Sequence, residues 1–372
     1  MAKRTALYDR HVALGGRMVE YAGWLLPVQY PTGPKEEHLR VRAAAGLFDI
    51  DHMGQIVVKG ADAVPFLQHV MTADVGAFET WSAHYALMCY DDGGVVDDTF
   101  IYRLPDRYFV VVNAANNAKD TRWLEYHRGE FDVTVENVSK ETYMLALQGP
   151  RATAILSPLL AGPNGGSEAA LSGLAFHTAL EAMVAGVPAL VGRTGYTGED
   201  GFELFFPTEH AGQVWDRIME SGEPHGLLPI GLAARDSLRF EPCLPLYGQE
   251  ITALVDPIEA GLGWAVALDK GSFVGREALL KTRLEGAPNR LVGLRMTAGG
   301  VPRHGYEVVA EDLVVGEVTS GMYAPAVDAF LALAYVPVEH SAPGTELGVM
   351  IRDRIRPAVV VKKPFYTPAY RR

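Results

Sequence analysis

The chain has 372 residues, enough for two or three domains of about 100–200 residues each. It is 48% hydrophobic and 21% charged, ordinary globular usage that excludes a disordered chain. A net charge of −12 argues against a broad nucleic-acid or anionic-membrane surface. With only Cys89 and Cys243, a four-cysteine zinc site is impossible and a disulfide framework is not expected.

Residues 1–11 lack the apolar core of a signal peptide. The most apolar run, 182–191, is broken by Gly186 and Pro188 and is too short to span a bilayer. A soluble protein of a reducing cytoplasm is expected. In chain order, a helix is expected over 61–70, with Pro65 in its first turn. Strands follow at 85–90, 95–103 and 108–113, joined by Asp91-Asp92-Gly93-Gly94 and Leu104-Pro105-Asp106-Arg107, so a meander is predicted. A second helix is expected over 114–127, and Ala161 to Ser167 reads as a surface loop. Thr208 is placed as the N-cap of a helix whose Ala211, Val214, Trp215, Ile218 and Met219 form one stripe, closed by Gly222. Residues 285–290, with Gly286 and Pro288, read as a domain linker. Beyond it, short Val-rich segments punctuated by Gly305, Gly316, Gly321 and Gly344 suggest a small antiparallel barrel or sandwich. Helices mixed with strand clusters indicate an α+β protein rather than regular βαβ repeats. The last segment, 352–372, carries seven basic residues and one acidic one.

Residues 88–103 are the most informative stretch. Asp97 and Asp98 head an apolar strand, where Asp is normally depleted and a buried carboxylate is costly unless partnered. The period of two puts Val95, Asp97, Thr99 and Ile101 on one face and Val96, Asp98, Phe100 and Tyr102 on the other. The carboxylates therefore cannot flank one bond as an acid/base pair.

No phosphate loop, His-Glu-x-x-His or Gly-x-Ser-x-Gly elbow is present, and Gly261-Leu262-Gly263 lacks a third glycine. Other segments are rich in special residues. Residues 193–203 pack three glycines around Tyr196 and end on Glu203, which suits either a flat amine-bearing ring or a plain hairpin. Residues 234–239 read as a helical turn with charges at i and i+4. Residues 48–54 place His52 beside Met53, by default a core histidine, and 245–250 form a loop with no readable mechanism.

Taken together, the chain closely resembles the aminomethyltransferase family, the T-proteins of the glycine cleavage system. The resemblance rests on Gly23-Trp24, Pro27-Val28-Gln29-Tyr30, and residues 46–54, 93–98, 111–116 and 147–150. It continues through 195–203, 234–239, 246–250, 258–270, 273–279, 316–321 and Pro364-Phe365, so it spans essentially the whole chain. It implies a three-lobed cloverleaf of the aminomethyltransferase folate-binding type, with a folate region over 1–284 and a C-terminal antiparallel β-barrel domain over 291–372. It further implies transfer of a methylene carbon from the aminomethyl-lipoyl arm of H-protein to tetrahydrofolate, with neither a metal nor a covalent nucleophile. Asp97 matches the family's catalytic aspartate, and Asp98 is left as a structural carboxylate. Tyr85, Tyr102, Asn113 and Tyr196 match positions that line or position the pterin. Glu203 matches the residue that binds its amino-pyrimidine edge, and Arg235 and Tyr370 match further folate contacts. The basic C-terminal segment, with Lys362 and Lys363, gains a candidate purpose in attracting acidic H-protein or the glutamate tail of folate.

Three positions depart from the family pattern: Glu241-Pro242-Cys243, Asp51 in place of a common Ser, and Thr99 in place of an aliphatic residue. Two other readings share the family's folate contacts. One is a folate-dependent demethylase. The other is a non-enzymatic folate-binding iron–sulfur assembly protein, whose Cys directly before the Tyr of its motif is here Leu246.

Overall fold

The structure is a computed structural model that describes residues 2–161 and 171–371. It divides into two compact units. The first takes residues up to Phe66, Gly76–Tyr85 and Thr99–Leu238; the second takes Leu67–Val75, Ala86–Asp98 and everything from Arg239 onward. The loop expected from Ala161 to Ser167 falls, past Ala161, outside the described residues.

The first unit is built on β-sheets whose strands alternate their side chains between two cores. One sheet runs in the order Leu160–Ala161, Ala179–Val184, Val187–Gly192, Gly201–Pro207, Thr142–Gln148, Gly46–Asp49, Leu228–Pro229. Along Thr142–Gln148, Tyr143, Leu145 and Leu147 enter one core with Val214, Trp215 and Ile218 of the helix Ala211–Gly222. Met144 and Ala146, facing the other way, enter a second core with Phe48, Val57, Tyr102, Phe109 and Phe205. This is the period-two signature of a sheet covered on both faces. Burying each such large apolar side chain contributes about 1.5–3 kcal/mol.

The expected meander is present. Ala83–Cys89, Val95–Arg103 and Tyr108–Val112 are consecutive neighbours in a further sheet completed by Gly54–Lys59 and Thr134–Asn137. The expected helices also form, as Ala63–Val70, Asn117–Arg128 and Ala211–Gly222. Thr208, however, is not an N-cap. It opens a 3₁₀ turn, Thr208–His210, and its Oγ1 donates to the Lys140 carbonyl at 3.0 Å, so His210 stands at the helix start.

The second unit holds a closed antiparallel barrel. Its strand order is Asn289–Met296, Ala329–Pro337, Leu313–Ala324, Glu307–Ala310, Glu346–Ile351, Arg354–Val361. Val292, Leu294, Val308, Val318, Ala332, Ala334, Val349 and Val360 fill its interior. Gly305 and Gly344 break the chain at turns with φ of +80° and +96°. Gly316 and Gly321 do not punctuate strands; both lie inside Leu313–Ala324. A Cβ at Gly316 would stand 2.0 Å from the Tyr335 carbonyl oxygen, so glycine there permits close strand approach. Among the described residues no helix is long and apolar enough to cross a membrane.

Candidate functional site

Within the first unit, the segment between strands Val187–Gly192 and Gly201–Pro207 forms a pinned loop. Arg193 grips Asp200 with two parallel bonds, Nε to Oδ1 at 2.9 Å and Nη2 to Oδ2 at 2.6 Å. Gln148 holds the interior of the loop, donating to the Thr194 carbonyl at 3.0 Å and accepting from Thr197 Oγ1 at 2.9 Å. Arg42 secures the far side, donating to the Thr197 carbonyl at 2.7 Å and to Glu199 at 3.1 Å. The glycines here are steric necessities. A Cβ at Gly195 would lie 1.9 Å from Gln148 Oε1, and one at Gly192 would lie 2.7 Å from the Tyr102 ring.

This scaffold sets the surroundings of Glu203. Its Oε2 accepts from Thr194 Oγ1 at 2.6 Å and from Tyr102 Oη at 3.2 Å, while Tyr102 Oη and Thr194 Oγ1 are 2.8 Å apart. Its Oε1 has no hydrogen-bond partner among the described residues, and the side chain is half-buried. Burial raises the Glu203 pKa, against the opposing pull of Thr194, the Arg235 charge and Tyr102. Arg235 in turn lies over the Tyr196 ring, 4.8 Å from guanidinium carbon to centroid. A half-saturated carboxylate, an aromatic face and a guanidinium are thus gathered in one place, suited to a flat ligand that donates hydrogen bonds along one edge.

A second buried group sits at the turn after Gly46–Asp49. His11 lies between Asp49 Oδ2 and Tyr30 Oη, 2.8 Å from each, and Thr5 Oγ1 also donates to Asp49 at 2.7 Å. Burial works to raise the Asp49 carboxyl, but the bonds from His11 and Thr5 outweigh it and hold the group below its usual range. The neighbouring Asp51 has only a backbone hydrogen bond from Met144 to oppose burial. Burial and the Asp49 charge push it up to about 9, and its Oδ1 has no hydrogen-bond partner among the described residues. His52 is buried and pushed down to about 3 by desolvation and by Arg235, so it is a neutral ring at physiological pH.

Of the residues predicted from sequence, Tyr102, Tyr196, Glu203 and Arg235 come together. Tyr85 is half-buried in the strand Ala83–Cys89, and Asn113, also half-buried, follows Tyr108–Val112. Tyr370 lies in the second unit with 43% of its surface exposed. Asp97 is completely buried, as are Val95, Ile101 and nearly all of Thr99 on its strand face. Asp98 is half-buried on the face it shares with Phe100 and Tyr102. Thr194, Gln148 and Arg42 were not singled out. Thr194 lies inside the glycine-rich 193–203 segment and Gln148 inside the 147–150 segment, but only folding shows which atoms they hold.

An α+β unit followed in sequence by a closed barrel is the domain pair of the GCVT class. The GCVT N-terminal domain matches residues 7–270, and the glycine cleavage T-protein C-terminal barrel domain matches residues 289–367. The chain is 49% identical to an aminomethyltransferase of Symbiobacterium thermophilum, over 100% of this chain and 99% of that protein. It is 46% identical to one from Halalkalibacterium halodurans, over 98% of each. The crystal structure of glycine cleavage system aminomethyltransferase T from Bartonella henselae superposes with a TM-score of 0.90 at 34% identity, covering 99% of both chains. The chain belongs to the glycine cleavage T-protein family.

Proposed function

We propose that this chain is an aminomethyltransferase of a glycine cleavage system. It takes the aminomethyl group from the lipoyl arm of H-protein and passes the methylene carbon to tetrahydrofolate. The products are 5,10-methylenetetrahydrofolate, ammonia and dihydrolipoyl H-protein. The observation that carries this reading is the full-length match, across both domains, to proteins named aminomethyltransferase. The absence of a Cys directly before Tyr247 speaks against the iron–sulfur assembly reading. The free thiols of Cys89 and Cys243 fit a reducing cytoplasm.

Tetrahydrofolate fits the site as substrate. Glu203 offers Oε1 to the amino-pyrimidine edge of the pterin, while Tyr102 and Thr194 fix the direction of the carboxylate. Tyr196 supplies a flat face backed by Arg235. Tyr85, Asn113 and Tyr370 are the further contacts the family pattern proposes.

The chemistry calls for one carboxylate. Expelling sulfur or nitrogen from the transferred carbon creates iminium-like positive charge, which a fixed anion in a site of low polarity stabilises. The same group can relay a proton from the attacking amine. The family pattern assigns this role to Asp97. What supports Asp98 is its accessibility, since it is half-buried where Asp97 is fully buried. We therefore propose Asp98 as the acting carboxylate, with Asp97 bonded within the fold.

The donor is tested by offering aminomethyl-loaded H-protein and small methylated amines or sulfonium compounds in parallel. Ammonia and methylenetetrahydrofolate formed from H-protein alone support the transferase. Turnover of the small donors in its place identifies a demethylase.

A further inference from the structure

Four arginines of the barrel unit line one cleft of about 850 Å³. Arg303 comes from the loop that follows Asn289–Met296. Arg352 sits in the turn after Glu346–Ile351, and Arg354 and Arg356 begin the next strand. Being two residues apart, Arg354 and Arg356 share a strand face. The cleft is shaped by a specific close approach. Gly300 has φ of +146°, and a Cβ there would stand 2.9 Å from Ile351 Cδ1 and 3.5 Å from Arg356 Cγ. The positive φ at Gly300 favours glycine where the 299–303 loop meets the arginine-bearing hairpin.

The cleft lining carries charge of one sign only. Arg10, Arg40, Arg42, Arg107, Arg193, Arg217, Arg239 and Arg276 each pair with a carboxylate. None of the four cleft arginines pairs with a carboxylate among the described residues, and no acidic side chain lines the cleft. Asp353 shares the turn but stands outside that lining, exposed to solvent, as does Glu307 beside Tyr306. A chain of net charge −12 thus gathers four guanidinium groups without a carboxylate partner around one concavity, an arrangement that favours entry of an anion.

We propose that this cleft binds a small polyanion carrying two or more phosphate or carboxylate groups. Guanidinium forks match such oxyanions with paired hydrogen bonds, and the volume lies within the range of small-molecule sites. Tyr306 and Ile351 give the ligand an apolar floor. The site also changes the reading of the basic C-terminal segment. Arg352, Arg354 and Arg356 belong to the barrel hairpin, and Lys363 spends its ammonium on the Leu291 carbonyl at 2.6 Å.

The test is isothermal titration of the full chain with inorganic tripolyphosphate and, separately, with a tetraglutamate peptide. Which probe binds more tightly distinguishes a phosphate from a carboxylate ligand. R354A/R356A is expected to weaken binding at least about tenfold, the loss of one charge-assisted hydrogen bond. R303A/R352A, which alters exposed side chains only, is expected to do the same and guards against misfolding of the first variant. K281A, away from the cleft, leaves the affinity unchanged. Raising salt from about 50 to about 300 mM shortens the range of these charges and weakens binding several-fold. The proposal is overturned if neither probe binds below about 5 mM, a free energy of only about −3 kcal/mol. It is equally overturned if both double variants bind as tightly as the parent.

Discussion

Two glutamates, one in each unit, show how the same side chain becomes either a pin or a receptor. Glu250 in the barrel unit is fully buried with both carboxylate oxygens engaged. Its Oε2 takes Arg239 Nη1 at 2.7 Å and the Leu246 amide at 3.0 Å, and its Oε1 takes Thr319 Oγ1 at 2.8 Å. Arg239 donates onward to Ser320 at 2.8 Å, and Tyr335 donates to the Glu250 carbonyl at 2.6 Å. Nothing remains for a ligand. Glu203 commits only Oε2 and keeps Oε1 in a half-buried position. The difference is one of saturation. A carboxylate with both oxygens bonded stabilises its own chain, and one held by a single oxygen is oriented for something else.

The sharpest way to break this contrast is to remove Arg239. R239L leaves the Glu250 charge buried without its partner and should cost about 3–5 kcal/mol, read from the urea midpoint. A loss under about 1 kcal/mol, the level of an exposed pair, would mean that the pair is not a pin. E203Q is expected to do the opposite. Folding stability should hardly move, while folate affinity falls about ten- to hundredfold through the lost charge-assisted hydrogen bond. Unchanged affinity in that variant would remove Glu203 from the site.

Next in size is the loop scaffold. G195A drives a Cβ into Gln148 and should cost about 1–3 kcal/mol, with a matching drop in thermal midpoint. Smallest over any single pH unit is an effect of protonation. Asp51 is raised to about 9 when folded, so between about pH 4 and 9 the native state holds a proton that the unfolded chain has released. This contribution to stability is therefore lost as pH rises, by up to about 1.4 kcal/mol per unit. D51N should flatten the slope across that window, which denaturant titrations at several pH values will show.

Much of this was legible before folding. The Asp91-Asp92-Gly93-Gly94 turn between apolar runs announced the meander, and the stripe from Ala211 to Met219 announced its helix. What failed has physical reasons. Thr208 has the right chemistry for a cap, but its hydroxyl found the Lys140 carbonyl first. Gly316 and Gly321 resembled strand breakers, yet they serve close packing within one strand, a use that composition cannot separate from a turn. The loop at 245–250 gave no mechanism because the partners of Glu250 stand 11 and 69 residues away in sequence. Arg235 and Arg239, read as one charged face, part company: one lies over Tyr196 and the other is buried against Glu250. For the Asp pair, alternation correctly divided the two side chains. It could not say which carboxylate is closed off, and burial adds that Asp97 is fully buried and Asp98 half-buried.

The most direct measurement compares Asp97→Asn and Asp98→Asn, following folate affinity and methylenetetrahydrofolate formation from aminomethyl-loaded H-protein in the same samples. Losing a fixed charge that stabilises a developing cation costs about 10²–10³ in kcat. Asp98→Asn is expected to show that loss with folate still bound, while Asp97→Asn affects chiefly stability. Near-normal turnover in Asp98→Asn, with the catalytic loss falling on a folded Asp97→Asn, would contradict the account and return the role to Asp97.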